Sequence, residues 1–212
     1  MEEKEPLFIA VEGPIGIGKT SLANRLASHY SANLLKEIVY ENPFLDKFYD
    51  DLAKWSFQTE MFFLTNRYQQ LNEIQAKYLA KNMPVISDYH LFKNLIFANL
   101  SLDASHLNKF KKIYDILESD LPKPNVIIVL NASLETVVTR IKKRNRDFEQ
   151  NIDTRYLENL ITSYSEFARC IKKDSNIPVV ELNGDTYDFV ENPNHLQEVL
   201  AKIDLIVKKE AQ

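Results

Sequence analysis

The stretch Gly13-Pro14-Ile15-Gly16-Ile17-Gly18-Lys19-Thr20 constrains this chain more than any other. It fits the pattern Gly, any four residues, Gly-Lys-Thr, in which glycines let the backbone curl around phosphate oxygens. An ordinary glycine turn before a helix is the plainer alternative, and the flanks argue against it. Leu7 to Glu12 is a short apolar run, and Leu22, Leu26 and Tyr30 follow at helical spacing. Strand, loop and helix N-terminus together make an anion site, because backbone N–H groups converge and the helix dipole adds positive potential. Only four glycines exist in the chain, and three of them fall here. The segment through Ser21 therefore reads as an ATP-binding loop, with Lys19 on the β and γ phosphates and Thr20 Oγ on Mg²⁺.

A chain of 212 residues is long enough for one domain, or one domain with a lid, around a substantial core. A net charge of −4 argues against a nucleic-acid partner, which usually needs a basic face, and favours a small metabolite. The single cysteine, Cys170, allows no internal disulfide and suits a reducing compartment. Tyr164, Phe167 and Ile171 recur around it at helical spacing, which predicts a core thiol. Met1-Glu2-Glu3-Lys4-Glu5 lacks a signal-peptide pattern, and no apolar run reaches membrane-spanning length. These features predict a cytoplasmic protein with no membrane partner.

Strand and helix patterns alternate, which predicts a doubly wound five-stranded parallel sheet, an α/β fold with the glycine loop after its first strand. The strands are expected at Leu7–Glu12, Leu34–Val39, Pro84–Asp88, Val126–Leu130 and Pro178–Leu182. A long helical region is expected from Phe44 to Lys81, broken near Lys54. Helices should follow at about Leu91–Asn99, Ala104–Glu118, Ser133–Arg144, Thr154–Lys172 and His195–Lys208. Nothing in the composition divides two domains, so residues 1–212 read as a single kinase-like domain.

In such sheets ligands gather at the carboxyl ends of the strands. Glu12, Glu37 and Asp88 fall there; Glu12 takes no assigned role. Glu37 and Asp88 end different strands and can converge on the γ-phosphate, one accepting the proton of an attacking hydroxyl while the other holds Mg²⁺. A helix cap or surface ion pair is the structural alternative for each. Arg140-Ile141-Lys142-Lys143-Arg144-Asn145-Arg146 puts five basic residues in seven positions. Such a run is usually a solvated face, but this one ends a helix that follows a sheet strand. Arginines there, in a lid over about residues 140–153, can neutralise charge on a transferring phosphoryl group.

With these motifs in place, the chain resembles the deoxynucleoside kinase family over nearly its full length, most of all the bacterial branch acting on purine deoxynucleosides. The resemblance implies that Glu37 contacts the substrate 5′-hydroxyl and that Tyr49 and Glu149 hold the 3′-hydroxyl. It implies that Gln58, in Phe57-Gln58, reads the base edge, and that Arg140, Arg144 and Arg146 form the lid. It also places Asn183-Gly184-Asp185 against the adenine of ATP. Where the family has an acid followed by Arg-Ser, this chain has Asp88-Tyr89-His90. Asp88 carries over as base or magnesium ligand, but the arginine does not, and Lys93 or a lid arginine is the expected substitute. His90 is expected to cap or pack. Asn94 stands where the family has an acid near the base, and Arg67 shares the helix of Gln58. The implied activity is transfer of the γ-phosphoryl of ATP to the 5′-hydroxyl of a purine 2′-deoxynucleoside, deoxyguanosine first, by a homodimer. The alternatives are a nucleoside monophosphate kinase, which needs extra positive charge for its acceptor's phosphate, and a non-catalytic nucleotide-binding subunit.

Overall fold

Val126-Ile127-Ile128-Val129-Leu130 is an apolar run too short for a helix and too continuous for a half-exposed strand, so it belongs at the middle of a parallel sheet. The structure, a computed structural model describing residues 5–149 and 152–210, puts it there. The elements run β1 Phe8–Glu12, α1 Lys19–His29, β2 Asn33–Leu35, α2 Leu45–Phe48, α3 Leu52–Lys77, β3 Val85–Ser87, α4 Phe92–Ser101 and α5 Ala104–Glu118. They continue as β4 Val126–Asn131, α6 Leu134–Arg144, α7 Thr154–Asp174, β5 Val179–Asn183 and α8 Pro193–Glu210, with single 3₁₀ turns at Leu79–Lys81 and Asp147–Glu149. The sheet is parallel throughout, in the order β2-β3-β1-β4-β5.

Strand alternation divides the core between the two faces. Ile9 and Val11 pack in one cluster with Leu22 and Leu26 of α1, Val137 of α6 and Val199 of α8. Phe8 and Val85 pack in another with Leu64 and Leu71 of α3 and Phe110 of α5, while Ile127 and Val129 meet Ala168 of α7. Each fully buried aliphatic of this kind contributes ~1.5–3 kcal/mol relative to exposure. The helix layers cover both faces and leave the strand ends, where the loop after β1 lies, as the open rim.

Three expectations are corrected. β2 was expected to run to Val39, but it stops at Leu35. The Glu37 N–H that would extend the ladder instead donates to the Asp88 side chain at 2.8 Å, so the chain peels off the sheet there. The helical region breaks at Tyr49–Asp51 rather than near Lys54, because Asp51 caps α3 by accepting from the Lys54 N–H at 3.1 Å. Cys170 is exposed. α7 turns Tyr156, Leu157, Leu160, Tyr164 and Ala168 inward, and Cys170 falls off that stripe.

Candidate active site

The loop after β1 is shaped by close approaches. Gly16 has φ 80°, and a Cβ there would lie 2.5 Å from Ile141 Cγ1; at Gly13 it would lie 2.5 Å from the Leu130 carbonyl oxygen. Neither position admits a side chain. Gly18 precedes α1, so the free N–H groups of that helix face the rim. Lys19 folds back over the loop, its Nζ donating to the Gly13 and Pro14 carbonyls at 2.8 Å each. Burial and the nearby Lys93 ammonium push the Lys19 pKa down, so an arriving anion would restore its charge.

A cleft of about 600 Å³ opens from this loop, within the usual size range of a small-molecule site. One end is walled by Ile15 to Ser21, Arg140 and the Asp188–Glu191 stretch; the other by Tyr49, Glu60, Phe63, Arg67, Lys93 and Glu149. Asp88 joins the two ends. It accepts from Thr20 Oγ1 at 2.5 Å and from the Glu37 backbone N–H at 2.8 Å. Burial raises its pKa while the Thr20 hydroxyl opposes the rise.

Glu37 is the centre of the second end. Lys93 Nζ donates to both of its carboxylate oxygens, at 2.9 and 2.6 Å, and Arg67 donates Nε at 3.0 Å and Nη2 as well. Burial alone would disfavour the anion, but the two cations overcome it and hold the Glu37 carboxyl well below the usual carboxylate range. The same anion raises the Arg67 pKa against its burial. The Arg67 guanidinium also lies over the Phe63 ring, 4.6 Å from its centroid.

The arginine run reaches the cleft from its open side. Arg140 clasps the loop, donating to the Ile17 carbonyl at 2.9 Å and the Gly184 carbonyl at 2.8 Å. Arg144 donates Nε to Glu149 at 3.1 Å, and Arg146 lies 3.6 Å from the same carboxylate. Of the segment expected as a lid, Gln150 and Asn151 lie outside the described residues.

The structure thus brings Lys19, Thr20, Glu37, Tyr49, Arg67, Asp88, Arg140, Arg144, Arg146 and Glu149 to one cleft. Gln58 is not among them. It is exposed on the outer face of α3, out of phase with the buried Thr59, Glu60, Leu64 and Arg67, so the expectation that it reads the base is corrected. Glu60 lines the cleft instead. A legible signal was missed here: Glu60 and Arg67 share the helical phase of Leu64 and Leu71, and charged residues on a core-facing stripe need a reason to be there. Asn94 is fully buried behind the wall, both amide atoms without a partner among the described residues.

Asn183, Gly184 and Asp185 do not line the cleft. Asp185 caps α6 through Ser133, and the Asp188–Glu191 stretch takes the wall position. Tyr89 is buried in the core with its hydroxyl donating to Gln70 Oε1 at 2.6 Å, so its side chain does not line the cleft. Lys93, the expected substitute, spends its charge on Glu37. His90 packs, as expected, between Phe8 and Phe92, and burial pushes its pKa down to about 4. Glu12 is buried beneath the loop, its Oε1 accepting from the His90 N–H at 2.7 Å, and burial raises its pKa.

A glycine loop between strand and helix, with strand-end carboxylates and arginines facing it, on a parallel sheet, defines a P-loop phosphotransferase. The deoxynucleoside kinase family model matches residues 9–208. A deoxyguanosine kinase of Bacillus subtilis is 48% identical over 94% of this chain and 98% of its own length. A deoxyadenosine kinase of Lactobacillus acidophilus is 34% identical, over 92% of this chain and 94% of its own. Among solved structures, deoxyadenosine kinase from M. mycoides with bound dATP superimposes with a TM-score of 0.80 at 25% identity, covering 93% of this chain and 99% of that one. The chain belongs to the deoxynucleoside kinase family, as the sequence motifs led us to expect.

Proposed function

We propose that the protein transfers the γ-phosphoryl of ATP to the 5′-hydroxyl of a purine 2′-deoxynucleoside, with deoxyguanosine the preferred acceptor. The observation that carries the reading is the bridge at Asp88: one carboxylate accepts from Thr20 beside the loop lysine and from the backbone of Glu37. A donor held by the loop and an alcohol held by Glu37 are thereby kept in one small space. The 48% identity to a deoxyguanosine kinase supports guanine as the base.

The roles follow from the contacts. The loop N–H groups and Lys19 hold the triphosphate, and Arg140, Arg144 and Arg146 would move from their present carbonyl and carboxylate partners to the transferring group as the 140–153 segment acts as a lid. Tyr49 and Glu149 take the sugar 3′-hydroxyl. Glu37 holds the 5′-hydroxyl. With two cations on it, Glu37 is a weak base, which suits a loose transition state in which the proton leaves late.

Thr20 Oγ1 and the Asp88 carboxylate are hard oxygen donors in contact, the kind of pair that holds Mg²⁺ when phosphates supply other ligands. Bound there, the ion would supply positive charge against the donor's phosphates. We further propose a cytoplasmic homodimer joined through helices, to be checked by the mass of the particle in solution.

The test is a steady-state kcat/KM panel with ATP and the four natural deoxynucleosides. Deoxyguanosine should lead and deoxyadenosine follow. A panel led by a pyrimidine overturns the purine reading. Turnover of dGMP or dTMP in place of deoxynucleosides would favour the monophosphate kinase, and ATP binding without any turnover would favour the non-catalytic subunit.

A further inference from the structure

α3 carries two buried charged side chains, each with one polar atom left unpartnered among the described residues. Glu60 is 1% exposed and Arg67 3%. Glu60 Oε1 accepts from Ser101 Oγ at 3.2 Å, but among the described residues its Oε2 has no partner, and neither has Arg67 Nη1. Both residues line the cleft on the same face of the helix, two turns apart. Orphaned polar atoms of this kind are rare and costly inside a protein unless a ligand completes them.

We propose that Glu60 is the base-discriminating residue of the acceptor site, and that its charge state decides how strongly guanine is preferred over adenine. The proposal rests on the deoxynucleoside kinase reading and refines it.

The Watson–Crick edge of guanine presents N1–H and N2–H₂ side by side, two donors, next to the O6 acceptor; adenine presents the N6–H₂ donor beside the N1 acceptor. An ionised carboxylate is acceptor-only and can take both guanine donors at once. Against adenine it takes one donor and sets its second oxygen against the N1 lone pair. A site whose buried polar atoms are left unpaired by the wrong substrate rejects it strongly. Protonated, the same group becomes one donor and one acceptor, the complement of the adenine edge. An amide at this position matches either purine, with adenine through N1 and N6 and with guanine through N1 and O6, so it cannot tell them apart.

Glu60 is poised between the two states. Burial raises its pKa to about 7, against the pull of Arg67 on its own helix and of Ser101 and Lys93 on α4. Glu37 after β2 pushes it further up, and the hydroxyls of Tyr49, beyond α2, and Tyr156, on α7, share the same field.

The measurement is the ratio of kcat/KM for deoxyguanosine to that for deoxyadenosine, taken from pH 8.5 down to 5.5. In the wild-type protein the ratio should fall at least about tenfold as Glu60 gains its proton. In Glu60→Gln it should be at least about tenfold lower at pH 8.5, chiefly through a gain on deoxyadenosine, and flat with pH. A wild-type ratio that stays constant across this range, or a Glu60→Gln ratio equal to wild type, overturns the proposal; the first arm needs no variant to fold. Absence of turnover on every deoxynucleoside would instead overturn the reading beneath it.

Discussion

The two ends of the cleft are built on opposite plans. The donor end is backbone: consecutive residues after β1, curled by glycines, with one lysine folded over two carbonyls. The acceptor end is side chains gathered from the turn after β2, from α3 and α4, and from the segment after α6, with a carboxylate and two cations out of water. A site made of backbone is stable whether or not its functional side chain is present. A site made of buried charges is part of the fold's electrostatics, so changing its chemistry also changes stability.

The largest expected effect tests that difference directly. Glu37→Gln should lower kcat by ~10²–10⁴, the range for loss of a positioned acid–base group. It should also cost ~3–5 kcal/mol of stability, because Lys93 and Arg67 are then left without their buried counter-charge. Turnover and urea denaturation on the same preparation measure both. Adding Lys93→Met to Glu37→Gln should recover part of the stability while leaving kcat low, a coupling of ~0.5–3 kcal/mol between the two sites. If Glu37→Gln unfolds at the wild-type urea concentration, the contrast between the two ends is broken. Lys93→Met alone should lower kcat more than it weakens deoxynucleoside binding, since the lysine acts through Glu37.

Next in size is the donor end. Lys19→Ala should reduce kcat/KM for ATP by ~10²–10³, the usual loss for one electrostatic contact to a transition state. Its melting temperature should stay within about 2 °C of wild type, since the lysine holds only two loop carbonyls and their replacement by water is a surface-scale change. A large drop in stability would mean that the loop depends on its side chain after all.

The same contrast explains what could be seen beforehand. The donor loop was legible because its requirement is local: glycines at fixed offsets, a strand before and a helix after. The sheet was legible for a similar reason, since Val126–Leu130 and its counterparts carry an unmistakable buried-strand pattern. The acceptor end depends on rotations that no short window contains. Gln58 and Glu60 are neighbours, yet one faces solvent and the other the cleft, because α3 starts at an Asp51 cap rather than earlier. β2 ends four residues before its pattern does, because the side chain of Asp88, just past β3, takes the N–H that would have continued it. Cys170 sits among apolar residues in the sequence but falls off the inward face of α7. In each case tertiary geometry selects one of several phases that the local pattern permits.

The smallest effect concerns stability alone and reverses the usual sign. The Glu60 carboxyl binds its proton more tightly in the folded protein, with a pKa of about 7 against an ordinary 4.5. The contribution of Glu60 to folded stability should therefore decline as pH rises from about 4.5 through about 7, then level off. At ~1.4 kcal/mol per pKa unit the full decline is at most ~3.5 kcal/mol. Glu60→Gln has no such proton to lose, so it should melt close to wild type at pH 5 and up to about 7–14 °C higher at pH 8, given about 2–4 °C per kcal/mol for a domain of this size. Saturating deoxyguanosine should then narrow or reverse the gap at pH 8, since ligand binding to the folded state adds stability in proportion to affinity and the wild-type carboxylate binds guanine better. A residue that weakens the empty protein and strengthens the loaded one is held in place by what it binds. If Glu60→Gln is no more stable than wild type at pH 8, Glu60 is an ordinary satisfied core residue, and the acceptor end is less strained than its buried charges imply.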